Sequence, residues 1–183
     1  MENACATNQH NKKFVDNLGQ NLASGQMLML ENIPGILKSI ATTYSGLKAF
    51  SDMRAKTKGD ARSLVEELKE NSRLCWLVIE EDVEVGKIIP QLSYAEFDRL
   101  NKAGFDFDAL MRKKIRKYPQ LNKSDLASWT GKSTHDLVEN IYDKIKDLKT
   151  TYKYTPHSEK HRWKARIINI QKRILLLVKH LRD

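Results

Sequence analysis

Apolar residues recur at helical spacing through most of the 183-residue chain. The first long segment separates its apolar positions by four, three, four and three residues: Ile33, Leu37, Ile40, Tyr44 and Leu47. This is one stripe of an α-helix, because a strand would require alternation. Asn32 as a cap and Pro34 in the first turn favour a helix start there, and we expect the helix to end near residue 56.

A second helix is predicted, with Gly59 past the end of the first helix, Asp60 as the cap of the second and Pro90 at its end. Its apolar stripe holds Leu64, Leu68, Cys75, Val78 and Val85. Because the connection between the two helices is only a few residues long, they are expected to pack antiparallel as a hairpin over 33–90.

Shorter patterns follow over 93–130. Ser93 and Glu96 match a capping box, which predicts a short helix that stops near Gly104. Asp106 to Asp108 begins another predicted helix, which ends at Pro119. We interpret this region as a short-helix insertion between two hairpins.

A second hairpin is predicted over 133–182. Its first stripe is Leu137, Ile141, Ile145, Leu148 and Tyr152, and its second is Trp163, Ile167, Ile170, Ile174, Leu177 and Leu181. Thr155 and Pro156 are expected to close one helix and open the next. The last helix is apolar on almost every side near its end, so either it lies centrally or it offers a face to another chain. We expect a protein partner or a second copy to dock on Ile174, Leu175, Leu176 and Val178.

The pattern therefore predicts an all-α fold: a four-helix core made of two long antiparallel helical hairpins, with short helices inserted between them. It forms one domain over 26–183, after a flexible polar tail over 1–25. Low contents of glycine (8) and proline (4) argue against an all-β fold.

The compartment is predicted from cysteine content and hydropathy. Cys5 and Cys75 cannot form a disulfide framework and fit a reducing environment. The longest apolar run, from Ile174 to Val178, is too short to span a membrane, and no basic-then-apolar signal pattern opens the sequence. We expect a cytoplasmic protein.

Charge is unevenly distributed along the chain. Residues 1–91 carry 11 Lys+Arg and 12 Asp+Glu, whereas residues 92–183 carry 21 and 11. Such asymmetry favours an acidic partner, although part of the excess could answer the acidic run Glu80–Glu84 within the fold.

The densest positive segment is Arg112-Lys113-Lys114-Ile115-Arg116-Lys117, followed by Lys123. If the segment is helical, its charges surround the axis, so one neighbouring helix could not neutralise them. We therefore predict contact with DNA or RNA phosphates, without sequence choice. Lysines of the next long helix could extend the surface: Lys144, Lys146, Lys149 and Lys153. The alternative is a solvated charge run.

Other motifs predict little chemistry. Gly131-Lys132-Ser133-Thr134 looks like the end of a phosphate-binding loop, but Leu126 stands where the motif needs glycine, so a loop leading to a capped helix is favoured. His157 and His161 lack a third metal ligand. We expect no metal, no cofactor and no small-molecule substrate.

Arg173 and His180, separated by six residues on a basic helix, resemble the ribonuclease signature of HEPN domains, in which Arg and His act on the scissile phosphate. The resemblance implies a metal-independent ribonuclease acting across a dimer. Ile174 departs from that signature, which usually has a polar residue after the arginine. Side chains that snorkel along a neighbouring helix are the alternative.

Together these observations favour a non-enzymatic basic helical accessory subunit, working on nucleic acid within a larger protein assembly, for example in cellular defence or genome maintenance. The HEPN-like ribonuclease is the first alternative. The second is a membrane-active helical effector that uses the amphipathic segment from Met27 to Phe50, although membrane binding is not the expectation.

Overall fold

The computed structural model describes residues 50–51, 59–111 and 113–182, all of which belong to a unit spanning Ile33–Asp183. This part of the chain is mostly helical and contains no strand. Its α-helices are α1 (Asp60–Ile79), α2 (Val85–Ile88), α3 (Ala95–Lys102), α4 (Thr134–Tyr154) and α5 (Trp163–Arg182). Short 3₁₀-helices cover Ile89–Gln91, Phe107–Leu110, Pro119–Leu121, Asp125–Trp129 and Glu159–His161. Within the described ranges, no helix has both the length and the hydropathy needed to cross a bilayer.

The last helix, α5, is the centre of the core. It packs against both α1 and α4, and 13 of its 20 residues are buried. The four residues expected to dock a partner, Ile174, Leu175, Leu176 and Val178, are at most 1 % exposed. These four side chains therefore pack within the protein's own core, in agreement with the alternative of a central helix. The prediction that they form a docking surface is wrong.

Helix α1 begins at Asp60 and its N-cap residue is Gly59, so the predicted cap at Asp60 is wrong; the helix ends at Ile79, well before the predicted end at Pro90. The acidic run that starts at Glu80 explains the early end, because carboxylates are unfavourable at the negative end of the helix dipole. Asp82 then has a left-handed backbone (φ 51°), and the Val83 N–H donates to the Leu77 carbonyl at 3.0 Å. The chain restarts as the short helix α2.

Helix α3 lies close to its predicted position, but the predicted capping box is wrong. The Glu67 carboxylate of α1 replaces it: Oε2 accepts from the Glu96 N–H at 2.9 Å and from the Ser93 hydroxyl at 2.6 Å, while Oε1 accepts from the Phe97 N–H at 3.2 Å. Asn71 accepts from the Ser93 N–H at 2.8 Å and donates to its carbonyl at 2.7 Å. These polar contacts connect α1 to the start of α3.

Helices α4 and α5, which follow each other in the last part of the chain, pack against each other. Helix α4 ends at Tyr154, as the Thr155–Pro156 signal indicated, but α5 begins at Trp163, seven residues after Pro156. Arg162 has φ 44°, in the left-handed region, which a continuous right-handed helix cannot include.

Several predictions fall outside the described residues. They are the flexible tail (1–25), the first predicted helix (33–56) except for residues 50–51, the segment Met27–Phe50 except for Phe50, and the position of Arg112. The arrangement of two hairpins therefore remains a prediction.

Candidate nucleic-acid interface

The basic segment is defined as residues 112–117, and its described residues, 113–117, do not form the predicted helix. Regular structure ends at Leu110, and Met111 is already extended (φ −164°, ψ 108°). The described residues 113–117 are not helical. Closely spaced like charges disfavour a helix, and the buried positions Ile115 and Tyr118 give the segment a different way to attach to the core.

Backbone hydrogen bonds hold the middle of the basic segment. The Ile115 N–H donates to the Lys132 carbonyl, and the Gly131 N–H donates to the Ile115 carbonyl, both at 2.9 Å. Gly131 has φ 84°, a conformation that glycine adopts without steric cost. Ile115 is 2 % exposed, so its side chain anchors the segment while its neighbours face solvent.

Just before the segment, the main chain is held by a short series of hydrogen bonds. The Thr134 hydroxyl donates to the Met111 carbonyl at 2.9 Å, and its Oγ1 lies 3.0 Å from Nε2 of His180. Because that hydroxyl hydrogen is used on Met111, the His180 Nε2–H must be the donor to Thr134. The last turn of α5 therefore supports the start of the basic segment.

Five cations of this region are exposed, and we call them the basic surface: Lys113, Lys114, Arg116, Lys117 and Lys123. None of these five side chains makes an ion pair or hydrogen bond with another described residue. Other cations of the carboxy-terminal half do have carboxylate partners. Lys172 lies 2.6 Å from Asp125, Lys164 lies 2.6 Å from Asp82 and Lys146 lies 2.5 Å from Asp98. Within the acidic run after α1, Asp82 thus pairs with Lys164 of α5, and Glu84 pairs with Lys87.

Two further lysines border this surface. Lys132 lies over the Trp129 ring at 4.5 Å, directly after Gly131, and Lys179 lies over the Tyr118 ring at 5.9 Å. Sequence reasoning missed both as members of the basic surface. Lys132 was considered only as part of a phosphate-loop-like string, and Lys179 is more than sixty residues away along the chain.

That phosphate-loop-like string is a turn followed by a capped helix. The Ser133 hydroxyl accepts from the Asp136 N–H, and the Asp136 carboxylate accepts from the Ser133 N–H, both at 3.0 Å. The Ser133 N–H bond to the carboxylate, followed by the interaction of that carboxylate with the Ser133 hydroxyl, holds the pKa of Asp136 below its usual value. The prediction of a loop leading to a capped helix is confirmed.

The α4 lysines contribute less to the surface than the sequence suggested. Lys146 is paired with Asp98. Lys149 donates to the carbonyls of Pro90 and Leu92, and burial lowers its pKa. Burial, followed by the nearby charge of Arg173, lowers the pKa of Lys144. Lys153 is exposed, at the other end of α4 from the basic segment.

Arg173 and His180 have separate partners on α4. Arg173 donates to Asn140 Oδ1 at 3.0 Å and to the Asn169 carbonyl at 2.8 Å, and burial lowers its pKa. His180 is 1 % exposed and lies against Thr134. In this arrangement the imidazole has no access to a scissile phosphate, which weighs against the ribonuclease alternative.

Other reactive side chains are also engaged or buried. Burial raises the pKa of the Cys75 thiol to about 12. His135 lies 3.3 Å from Glu139, and the His161 ring packs against Trp163 at 4.8 Å. Within residues 59–111 and 113–182, no group of His, Cys, Asp and Glu side chains is arranged to hold a metal ion.

Comparison with known proteins assigns neither a family nor a function to the chain. No protein-family model, no curated protein and no solved structure matches the chain.

Proposed function

We propose that this protein is a non-enzymatic basic helical subunit that binds the phosphates of DNA or RNA without sequence choice. The contacts are assigned to Arg112, Lys113, Lys114, Arg116, Lys117 and Lys123. The observation that carries the proposal is the exposure of the last five of these cations, none of which has a carboxylate partner among the described residues. Arg112 is included from the sequence, because it lies outside the described residues.

Electrostatics explains why an external polyanion would be the partner. Neighbouring positive charges repel one another, and Asp125, two residues after Lys123, already pairs with Lys172. A phosphate backbone relieves this repulsion and releases its own condensed counterions, which favours binding. Contacts to phosphates position a protein on nucleic acid but carry no sequence information.

The proposed setting is a larger protein assembly, with a docking surface other than the buried residues Ile174 to Val178. We also propose that residues 33–56 complete the first hairpin, and thus the four-helix core. Phe50, near the end of that predicted helix, is helical and only 4 % exposed, which supports this arrangement.

Fluorescence anisotropy at low salt, measured with two duplexes of unrelated sequence, tests the proposal. The segment variant carries Lys113→Gln, Lys114→Gln, Arg116→Gln and Lys117→Gln. The wild type is expected to bind both duplexes with similar affinity, and the segment variant is expected to bind both much more weakly. Circular dichroism should show the same helical content, because the replaced residues are exposed and not helical.

A control variant removes the same amount of charge elsewhere. It carries Arg62→Gln, Arg73→Gln, Lys87→Gln and Lys160→Gln, all exposed positions outside 113–132. It is expected to bind nearly as well as the wild type. Equal weakening of both variants would mean that net charge alone drives binding, and unchanged binding of the segment variant would show that the assigned surface is wrong.

A further inference from the structure

A cleft at the carboxyl end of α4 has a lining unlike the basic surface. It encloses about 570 Å³, a volume within the range of small-molecule sites. Aromatic rings and cations share its wall, namely Tyr94, Tyr152, Tyr154, Lys149 and Lys153, and none of its lining residues is acidic. We call it the Tyr–Lys cleft.

Tyr154 is more exposed than the other two tyrosines of the cleft, Tyr94 and Tyr152. It is 73 % exposed and is the one large apolar side chain in the described ranges that is open to solvent. The Lys153 Nζ lies 5.8 Å from the centre of its ring. An aromatic face beside a mobile cation can stack on a planar ring and pair with an anion at the same time.

Lys149 supplies a second, fixed cation. Its Nζ donates to the Pro90 carbonyl at 2.9 Å and to the Leu92 carbonyl, and lies 5.4 Å from the Tyr94 ring centre. An ammonium group has three N–H donors, so one remains for a ligand. No carboxylate pairs with it among the described residues, and its charge is therefore available to an anion in the cleft.

Tyr152 gives the cleft a rigid wall. Its ring packs edge-on against Trp163 at 5.1 Å. Its hydroxyl oxygen lies only 2.6 Å from the point that a Cβ on Gly86 would occupy, so a residue with a side chain at position 86 would displace it. These two contacts hold the Tyr152 ring in place, and a rigid wall lowers the cost of binding.

We propose that the Tyr–Lys cleft binds a nucleobase together with its attached phosphate, as a free nucleotide or as an unpaired nucleotide of a strand. The base stacks on Tyr154, and the phosphate contacts Lys153 and Lys149. The cleft lies at the opposite end of α4 from the basic segment, about 30 Å away along a helix of 21 residues. It is therefore a second site, and it does not depend on phosphate binding at the basic segment.

Calorimetric titration of the segment variant tests the cleft with reduced interference from the basic surface, because four of its cations are replaced. AMP, adenosine, inorganic phosphate and a single-stranded dT octamer are the probes. AMP is expected to bind more tightly than adenosine or inorganic phosphate, because only AMP uses both the ring and the cations. If AMP binds but the octamer does not, the source is a free nucleotide; the reverse result identifies a strand.

Variants separate stacking from charge. Tyr154→Ala is expected to weaken the bound probe about 5- to 150-fold, the range measured for loss of one stacking partner, whereas Tyr154→Phe keeps the ring and should bind as before. Lys153→Gln is expected to weaken AMP but not adenosine. The proposal is overturned if neither AMP nor the octamer binds, if inorganic phosphate binds as tightly as AMP, or if Tyr154→Ala changes nothing. Failure of duplex binding by the wild type would instead overturn only the proposed function.

Discussion

The salt dependence of duplex binding offers a quantitative test of the basic segment. Each phosphate neutralised on duplex DNA contributes about 0.9 to the slope of log affinity against log salt concentration. Lys113, Lys114, Arg116 and Lys117 are all exposed. If all four contact phosphates, the segment variant should have a slope shallower than that of the wild type by about 3.6. Between 50 and 200 mM salt, these four contacts would account for about a 150-fold loss of wild-type affinity.

Anisotropy titrations at four or five salt concentrations measure the two slopes directly. The control variant should keep the wild-type slope, because its four replaced cations lie outside the proposed surface. A slope change below about 1 in the segment variant would mean that fewer than two of its four cations contact phosphate. That result would refute the assignment even if the affinity at one salt concentration had fallen.

Other predictions concern the scaffold and can be checked by urea denaturation or thiol labelling. Glu67→Ala should lower the free energy of unfolding by about 3 kcal/mol or more, because it leaves three donors at the start of α3 without an acceptor; Glu67→Gln, which keeps one oxygen, should cost clearly less. Leu176→Ala should cost about 2–5 kcal/mol, as a core residue does, whereas a cost near zero would mean that this side chain is not packed in the core. Cys75, with a pKa of about 12 in a buried site, should react with a thiol reagent at pH 8 only after unfolding. Asp136→Asn should cost about 0.3–1 kcal/mol at neutral pH. Because the pKa of Asp136 is lowered in the folded state, the wild type has this stabilisation above about pH 4, the unfolded value, and loses it as the pH falls through the folded pKa, so the two proteins should then converge.

Helical periodicity predicted the long elements because each is a repeating local pattern. The stripes from Leu64 to Val78 and from Leu137 to Tyr152 both lie on observed helices. The early end of α1 was missed, since the apolar stripe continues to Val85 while the acidic run disfavours further helix. The cap of α3 was also missed. Its acceptor, Glu67, comes from another helix, and no local sequence pattern shows a contact across 26 residues.

The cations of the basic segment could be read from the sequence, but the conformation of the segment could not. A dense run of cations is visible in any sequence, whereas the backbone pairing of Ile115 with Gly131 and Lys132 depends on how the chain folds back. The expected docking surface failed for a related reason. A helix that is apolar on all sides suits either a central position or an interface, and only the packing of α5 against α1 and α4 distinguishes them.

The hydrogen bonds at Met111 and Ile115 affect the expected rate of polyanion binding and the expected change in heat capacity. Cationic arms that are disordered when free must give up about 1–2 kcal/mol of backbone entropy per residue when they settle on a ligand. In this protein the main chain around Lys113 to Lys117 is already fixed at both Met111 and Ile115. A polyanion therefore restrains only side chains, so association should be fast and should involve little change in heat capacity.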